Sequence, residues 1–371
     1  MRIALDLTAA SRRDDGLVVY ALELTRALLA ICPDDDFYLL VSKVLPGQLS
    51  DVVGKVHILR SPFKQELLNK YLWIPLVCQR FRFDLIHFLI FPPPLGFRRR
   101  FVMTIQDVTP WLYPKTMSFK GRWYFRLGVS SAVKRADGIV APSQATVDLL
   151  PRYLKINASA RIKVTPLAVR PLALRVVKSD PAQLPLHYLL SVSTLEPRKN
   201  LQTLLDALPL VREMTGEAVT LALVGRLGWG YSSLQGKASR LGDHVVQLGH
   251  VDRSSLLGLY SKARLFVSPS IYEGFGLPPL EAMSVGCPVL ASDIPAHREV
   301  LKNAAHYFRP MDVQSLAAKL AALWTDDVAR DAMSRAGKQV SGGYSWRQTA
   351  LLTRSLFSEV SEEWMRLKPV S

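Results

Sequence analysis

Cysteine is scarce in this 371-residue chain, with only Cys32, Cys78 and Cys287. They are odd in number, far apart and set in apolar stretches. That excludes a disulfide framework or a Cys-ligated metal site, and implies reduced packing residues in a cytosolic protein. Long apolar runs are also missing: no stretch reaches the roughly eighteen residues a spanning helix needs, so a soluble or peripheral protein is expected. The opening MRIALDLTAA lacks the basic and apolar regions of a secretory signal. Acidic side chains are the minority charge, 31 Asp and Glu against 47 Lys and Arg, for a net +16. Residues 1–170 hold 25 Lys and Arg against 13 Asp and Glu, whereas residues 171–371 hold 22 against 18. An excess concentrated in the first half predicts that this half faces something anionic.

Hydrophobic residues are abundant at 49% of the chain, and 371 residues exceed what one core fills. Short β-branched runs alternate with helical patterns, the signature of parallel sheets covered by helices. Strands are expected at 2–7, 37–42, 55–59, 84–89, 100–105, 137–142 and 162–166, with helices near 17–31, 63–81, 117–135 and 143–154. The stretch 167–185 has no clean period and three prolines, so the linker is placed there. A second series follows at 187–193, 218–225, 244–249, 264–270, 287–292 and 306–308, with helices starting near Asn200, Ser232, Ser254 and Pro278. The expected fold is therefore α/β, with two Rossmann-like doubly wound domains at 1–172 and 173–345. A last helix, 346–371, capped by Ser345, crosses back to the first domain. In such sheets ligands bind beyond the carboxyl ends of the strands.

The most informative segment is IYEGFGLPPLEAM, residues 271–283. Pro278 and Pro279 suit a first helical turn, which puts Glu273–Gly276 at a helix N-terminus. Gly274 and Gly276 let backbone approach a ligand, and amides plus helix dipole favour phosphate. An ionised carboxylate only accepts hydrogen bonds and matches a vicinal diol, so Glu273 and Glu281 beside a phosphate seat suggest sugar and ribose hydroxyls. The alternative is that Glu273 caps its own helix and Glu281 is a solvated helix residue. In TLEPRKN, residues 194–200, Arg198 and Lys199 precede another helix start. Cations there are unfavourable unless an anion lies between them and the dipole, so they are candidates for neutralising a diphosphate leaving group.

These blocks, with SVGCPVLASDIPAHREV and YSWRQTA, resemble the family-4 retaining glycosyltransferases of the GT-B fold, which include bacterial mannosyltransferases of O-antigen and polysaccharide assembly. The resemblance runs along essentially the whole chain and is strongest over 187–350. It implies Glu273 on the transferred sugar, Glu281 on the ribose and Lys199 on the diphosphate. It also implies backbone amides from Phe275, Gly276 and Leu277, and a base held by His250, Val251 and Asp252. Departures are visible: the Arg often found six residues before the Lys is Ser193, leaving Arg198 as a second cation. GLVVY keeps Gly16 and Tyr20 of the first-domain phosphate loop, and the family's His position is Gln106, followed by Asp107. Gln106 can orient a hydroxyl but not act as a base at neutral pH, and Asp107 is a possible helper.

The expected activity is retaining transfer of a hexose from a nucleotide diphosphate sugar to a lipid-linked glycan in lipopolysaccharide or polysaccharide synthesis. GDP-mannose is the favoured donor and a GDP-deoxyhexose such as GDP-rhamnose the next, with no cofactor. Two rival readings are a nucleotide-sugar epimerase and a basic nucleic-acid-binding protein, for which no recognised module appears. Asp34, Asp35 and Asp36 satisfy a D-x-D pattern but fall in a turn expected to be solvated, so no metal is expected. Basic and aromatic residues in 63–82, 98–100 and 117–137 either form a docking surface for an anionic membrane at the inner face of the cytoplasmic membrane, or are core helices with solvated charges.

Overall fold

The computed structural model describes residues 1–10, 16–43, 47–170, 184–228 and 232–367. In the first half, β1 (Arg2–Leu7), β2 (Asp36–Val41), β3 (His57–Arg60), β4 (Leu85–Phe88), β5 (Phe101–Thr104), β6 (Gly138–Ala141) and β7 (Arg161–Val164) form one sheet, ordered β3-β2-β1-β4-β5-β6-β7. In the second, β8 (Leu189–Val192), β9 (Leu221–Val224), β10 (Val245–Gly249), β11 (Leu265–Ser268), β12 (Val289–Ser292) and β13 (His306–Phe308) are ordered β10-β9-β8-β11-β12-β13. The recorded pairings are parallel throughout. Each strand overlaps one of the apolar runs read from the sequence. Parallel strands are covered by helices on both faces, and β4, β5, β6, β9, β11 and β12 are accordingly buried at every residue.

The chain divides into two compact units: Met1–Leu112 with Phe119–Leu167 and Ser345 onward, and Tyr113–Ser118 with Ala168–Tyr344. The linker placed at 167–185, with its boundary at 172, falls mainly on residues 171–183, outside the described residues. Strand order reverses between β1 and β4 in one sheet and between β8 and β11 in the other, so the loops after β8 and β11 flank one switch point.

The last helix, Trp346–Leu367, belongs to the first unit. Ser345 Oγ accepts from Gln348 N at 3.1 Å and so caps it. Leu356, Phe357 and Val360 are buried, each contributing about 1.5–3 kcal/mol of apolar burial. Arg354 donates to Asp35, from Nη2 to Oδ1 at 3.1 Å, and Thr349 Oγ1 donates to the Pro166 carbonyl at 2.5 Å.

Two local expectations need correcting. Asp35 is not in a solvated turn: its side chain is only 6% exposed and pairs with the Met1 ammonium at 2.8 Å as well as with Arg354. Asp36 opens β2. The expected helix 63–81 is interrupted by a wide-turn segment, Asn69–Trp73, before continuing as Ile74–Phe81. Pro75 lacks the N–H that would carry the regular ladder through this point.

Candidate active site

β8 ends at Val192, and the chain passes through Leu195 into a tight turn, Pro197–Lys199. Leu195 is clamped from both sides, its N–H donating to the Arg226 carbonyl at 2.9 Å and its carbonyl accepting from Gly228 N at 3.1 Å. Gly225 makes this crossing possible: at φ 145° a Cβ would sit 1.8 Å from the Ser193 carbonyl oxygen. Asn200 then turns left-handed at φ 52° to start the helix Leu201–Thr215. After β11 the chain runs through Pro269–Phe275, turns at Gly276 with φ 96° and enters the helix Leu277–Ser284. Ile271 N donates to the Arg198 carbonyl at 3.0 Å, tying the two loops together.

Across that tie lies a cluster of ion pairs. Glu273 Oε1 accepts from Lys199 Nζ at 2.6 Å and from Ser270 Oγ at 2.7 Å, while Oε2 accepts from Arg198 Nη1 at 3.0 Å. Arg198 also donates to Glu196 Oε1 at 2.7 Å and to the Tyr272 carbonyl at 2.9 Å. The side chains of Arg198, Lys199 and Glu273 are 11–13% exposed. Burial alone would raise the Glu273 carboxyl, but Lys199 and then Arg198 overcome it and hold the group well below the usual carboxylate range. Burial and the neighbouring Arg198 lower Lys199, opposed by Glu273. The cluster is thus ionised, close to neutral overall and largely withdrawn from water. A phosphate brought to Lys199 would compete with Glu273 for it and free a carboxylate oxygen for a hydroxyl.

Prolines at 278 and 279 remove two of the amide donors that a helix N-terminus normally presents. An anion at this turn would therefore have to rely on the Lys199 and Arg198 cations more than the sequence suggested. Phe275 is buried with its ring edge-to-face on Tyr344, centroids 5.7 Å apart, so only its backbone can serve a ligand. Gly274 is buried, and Leu277 is the first residue of the helix.

Glu281 is not a solvated helix residue. Its Oε2 accepts from Tyr260 Oη at 3.3 Å and its Oε1 lies 3.7 Å from Arg253 Nη1. Burial raises its carboxyl, against the pull of Arg253 and Tyr260. After β10, His250 is exposed and Val251 half-buried. Asp252 is committed to capping the helix Arg253–Lys262, accepting from Ser255 N at 3.0 Å, Ser255 Oγ at 2.8 Å and Ser254 Oγ at 2.5 Å. These bonds hold its carboxyl well below the usual range. Oδ1 accepts two of these bonds and Oδ2 one.

The remaining candidates stand in the first unit. Gly16 is the exposed first residue of the helix Gly16–Ile31, and residues 11–15 before it lie outside the described residues. Tyr20 is buried and bonded to Thr104 Oγ1 at 2.7 Å, which makes it a core residue of that unit. Beyond β5, Asp107 Oδ1 accepts from Thr109 N at 2.8 Å, and Gln106 carries a buried Nε2 with no partner among the described residues. Sequence reasoning did not single out Glu196, Ser270, Arg253, Tyr260 or His297. Glu196 sits inside TLEPRKN and His297 inside SVGCPVLASDIPAHREV, Ser270 and Arg253 directly adjoin marked residues, and Tyr260 is brought to the site only by the fold.

The family described as Glycosyltransferase Family 4 matches residues 15–171, and the one described as Glycosyl transferases group 1 matches residues 178–340. Together they take in most of the chain, which belongs to the glycosyltransferases built from this pair of domains. Over 169 residues it is 37% identical to O-antigen chain mannosyltransferase B of Escherichia coli, covering 45% of this chain and 44% of that protein. Over 221 residues it is 34% identical to O-antigen chain mannosyltransferase RfbU of Salmonella typhimurium, covering 58% and 59%. The chain thus spans about half the length of the curated relatives it matches. Among solved structures, sucrose-phosphate synthase from Thermosynechococcus elongatus superposes with TM-score 0.74 at 20% identity, over 98% of this chain and 99% of that one. This similarity establishes the two-domain GT-B fold.

Proposed function

We propose that the chain is a retaining mannosyltransferase that uses GDP-mannose to extend a lipid-linked glycan in O-antigen or related polysaccharide synthesis. The observation that carries this reading is the Lys199–Glu273–Arg198 cluster at the switch point of the second sheet, in a chain whose relatives are named O-antigen mannosyltransferases. In the proposed reaction Lys199 and Arg198 stabilise the departing diphosphate, so no divalent metal or cofactor is required, and Glu273 holds hydroxyls of the transferred sugar. Glu281 faces the ribose. Gln106 can donate from its buried amide to an acceptor hydroxyl but cannot take its proton. The departing phosphate is the proposed proton acceptor.

The acceptor's lipid would bring the protein to a membrane surface. Among the described residues no helix is long and apolar enough to cross a membrane. Two neighbouring helical segments of the first unit nevertheless leave apolar side chains outside: Leu67, Tyr71, Leu72 and Leu76 on one, and Phe119 (67% exposed), Trp123 and Leu127 on the other. The segments are joined by Lys70 Nζ donating to Tyr124 Oη at 2.8 Å. Lys64 just before the first segment, Arg80 on it, and Arg98 and Arg99 after β4 are exposed. At about 1 kcal/mol for each basic residue near an anionic surface, these suffice for reversible docking at the inner face of the cytoplasmic membrane.

Offering the protein GDP-, UDP- and dTDP-sugars, with and without a lipid-linked glycan, tests the reading. Transfer from GDP-mannose that depends on acceptor and is insensitive to chelators is the expected result. Conversion of the donor without acceptor would indicate an epimerase, and no binding of any sugar nucleotide at millimolar concentration would overturn the proposal.

A further inference from the structure

His297 lies on the helix Pro295–Leu301 that follows β12, and it is completely buried. Its Nδ1 is 2.9 Å from the Ser292 carbonyl oxygen, which can only accept, so Nδ1 carries the proton. Nε2 is then a bare acceptor 3.3 Å from Ser268 Oγ. The ring therefore joins the carboxyl ends of β11 and β12 as one tautomer of a neutral imidazole, and burial lowers its proton affinity further.

Two routes lead from this ring to the ion-pair cluster. Directly, the ring packs under Gly276, where a Cβ would meet His297 Cδ2 at 3.2 Å and Nε2 at 3.5 Å. Gly276 is the left-handed turn, φ 96°, that aims the preceding loop. Through bonds, Ser292 Oγ donates to the Ser270 carbonyl, and Ser270 Oγ donates to Glu273 Oε1 at 2.7 Å. The charged groups that bear on the ring are Glu273 and Lys199.

We propose that His297 is a positioning residue for the donor site, a neutral wedge that fixes the Gly276 turn and, through Ser292 and Ser270, the orientation of Glu273. This rests on the donor-site reading above. With Lys199 drawn to a bound diphosphate, Glu273 Oε1 would be held by Ser270 alone while Oε2 keeps Arg198, and the Ser292–His297 support keeps Oε1 in register.

The test compares His297→Ala and His297→Asn with the wild type in two measurements. Asn keeps a donor near the position of Nδ1. Hydrogen exchange of the peptide covering 269–284 is independent of any donor. It should rise at least tenfold in the Ala variant and return to within threefold of wild type in the Asn variant, while β4–β6 stay protected. Steady-state kinetics with the donor should show KM raised tenfold or more in the Ala variant, partial recovery with Asn, and an unchanged KM for acceptor. Unchanged exchange and unchanged donor KM in the Ala variant would overturn the proposal. A wild type that turns over no sugar nucleotide, with the loop still loosened by the Ala change, would refute the donor reading and leave the positioning role standing. Should the Ala variant not fold, His297→Gln, which replaces the Nε2 acceptor but not the Nδ1 donor, carries the same two measurements.

Discussion

The two sheets share one winding pattern and differ in chemistry at the edge where ligands of such folds bind. In the second unit the loops after β8 and β11 bring Glu196, Arg198, Lys199 and Glu273 into direct ion pairs. In the first, the described residues around the end of β5 bond mainly through uncharged groups, beside the Asp107 side chain that accepts from Thr109 N. Thr104 Oγ1 joins Tyr20 Oη at 2.7 Å and His87 Nε2 at 2.9 Å, and Gln106 follows β5 where an ionisable group would be expected in relatives. Burial also raises the Asp6 carboxyl at the end of β1, against its bonds from Thr8. A site that meets charge developing on a leaving group needs fixed cations, whereas one that receives a neutral hydroxyl needs only orientation. On the proposed function the second edge holds the donor and the first the acceptor.

The largest effect should come from breaking the charged edge. Lys199→Ala or Glu273→Gln is expected to lower turnover about a hundredfold or more. Removing one partner of a buried pair should also cost about 3–5 kcal/mol of stability in the second unit. Gln106→Ala should lower turnover by less than about tenfold, since it removes one neutral hydrogen bond of about 0.5–1.5 kcal/mol. Measuring kcat for the three variants side by side checks the contrast. A Gln106 variant as impaired as the Lys199 variant would erase it.

The second prediction uses pH. Burial pushes His87 down to about 3, so the folded chain keeps it neutral while the unfolded chain protonates it below about 6.5. Its contribution to stability is fully present above about pH 6.5 and is lost as pH falls toward 3; by pH 5 the loss is about 2 kcal/mol. Glu273 is shifted below its ordinary range, so its contribution is complete above about pH 4.3 and declines only below that. Between pH 7 and 5 the loss should therefore trace to the buried imidazoles. Melting curves of wild type and His87→Gln across this range test it: the variant should show a shallower dependence on pH, whatever its stability at pH 7.

Third, Gly276→Ala places a side chain at φ 96° against His297. That strain is about 1–3 kcal/mol, enough to weaken donor binding about tenfold or more, as calorimetry with the donor would measure. Gly236→Ala, exposed on the helix Ser232–Arg240 with nothing within 4 Å of the added Cβ, should leave binding unchanged.

Much of this was legible in the sequence, for identifiable reasons. Strands buried on both faces read as short apolar runs, so β4, β5, β9 and β11 were visible without any tertiary information. The motif 271–283 and Lys199 announce themselves because glycine, proline and charge at helix starts have few other uses. What escaped is what depends on distance in space. Glu273 bonding directly to Lys199 joins residues 74 apart in the chain, and the contact of His297 with Ser268 appears only once the helix after β12 is set beside the end of β11. Asp35 was misread because a run of aspartates suggests a turn, yet its true partners are the chain's first residue and Arg354, 319 positions away. Asp252, marked for a ligand, also caps the helix Arg253–Lys262, a role legible from an Asp directly before a helix start.

The smallest effect on chemistry, and the sharpest separation of the two units, should come from the outer surface of the first. Trp123 and Phe119 lie one helical turn apart, ring centroids 6.1 Å from each other, and both are exposed. Replacing them together by Glu removes apolar area worth about 25 cal/mol per Å² and adds repulsion from an anionic surface. Neither residue contributes to the core, so melting temperature should stay within about a degree or two of wild type and hydrolysis of the donor in solution within about twofold. Binding to vesicles containing anionic lipid, followed by co-sedimentation at about 0.1 M salt, should fall at least tenfold, and binding of the wild type should weaken as salt rises. A double variant that binds vesicles normally would show that the basic excess of the first unit serves something other than a membrane. Loss of donor hydrolysis in the same variant would show that the two edges are not separable as argued.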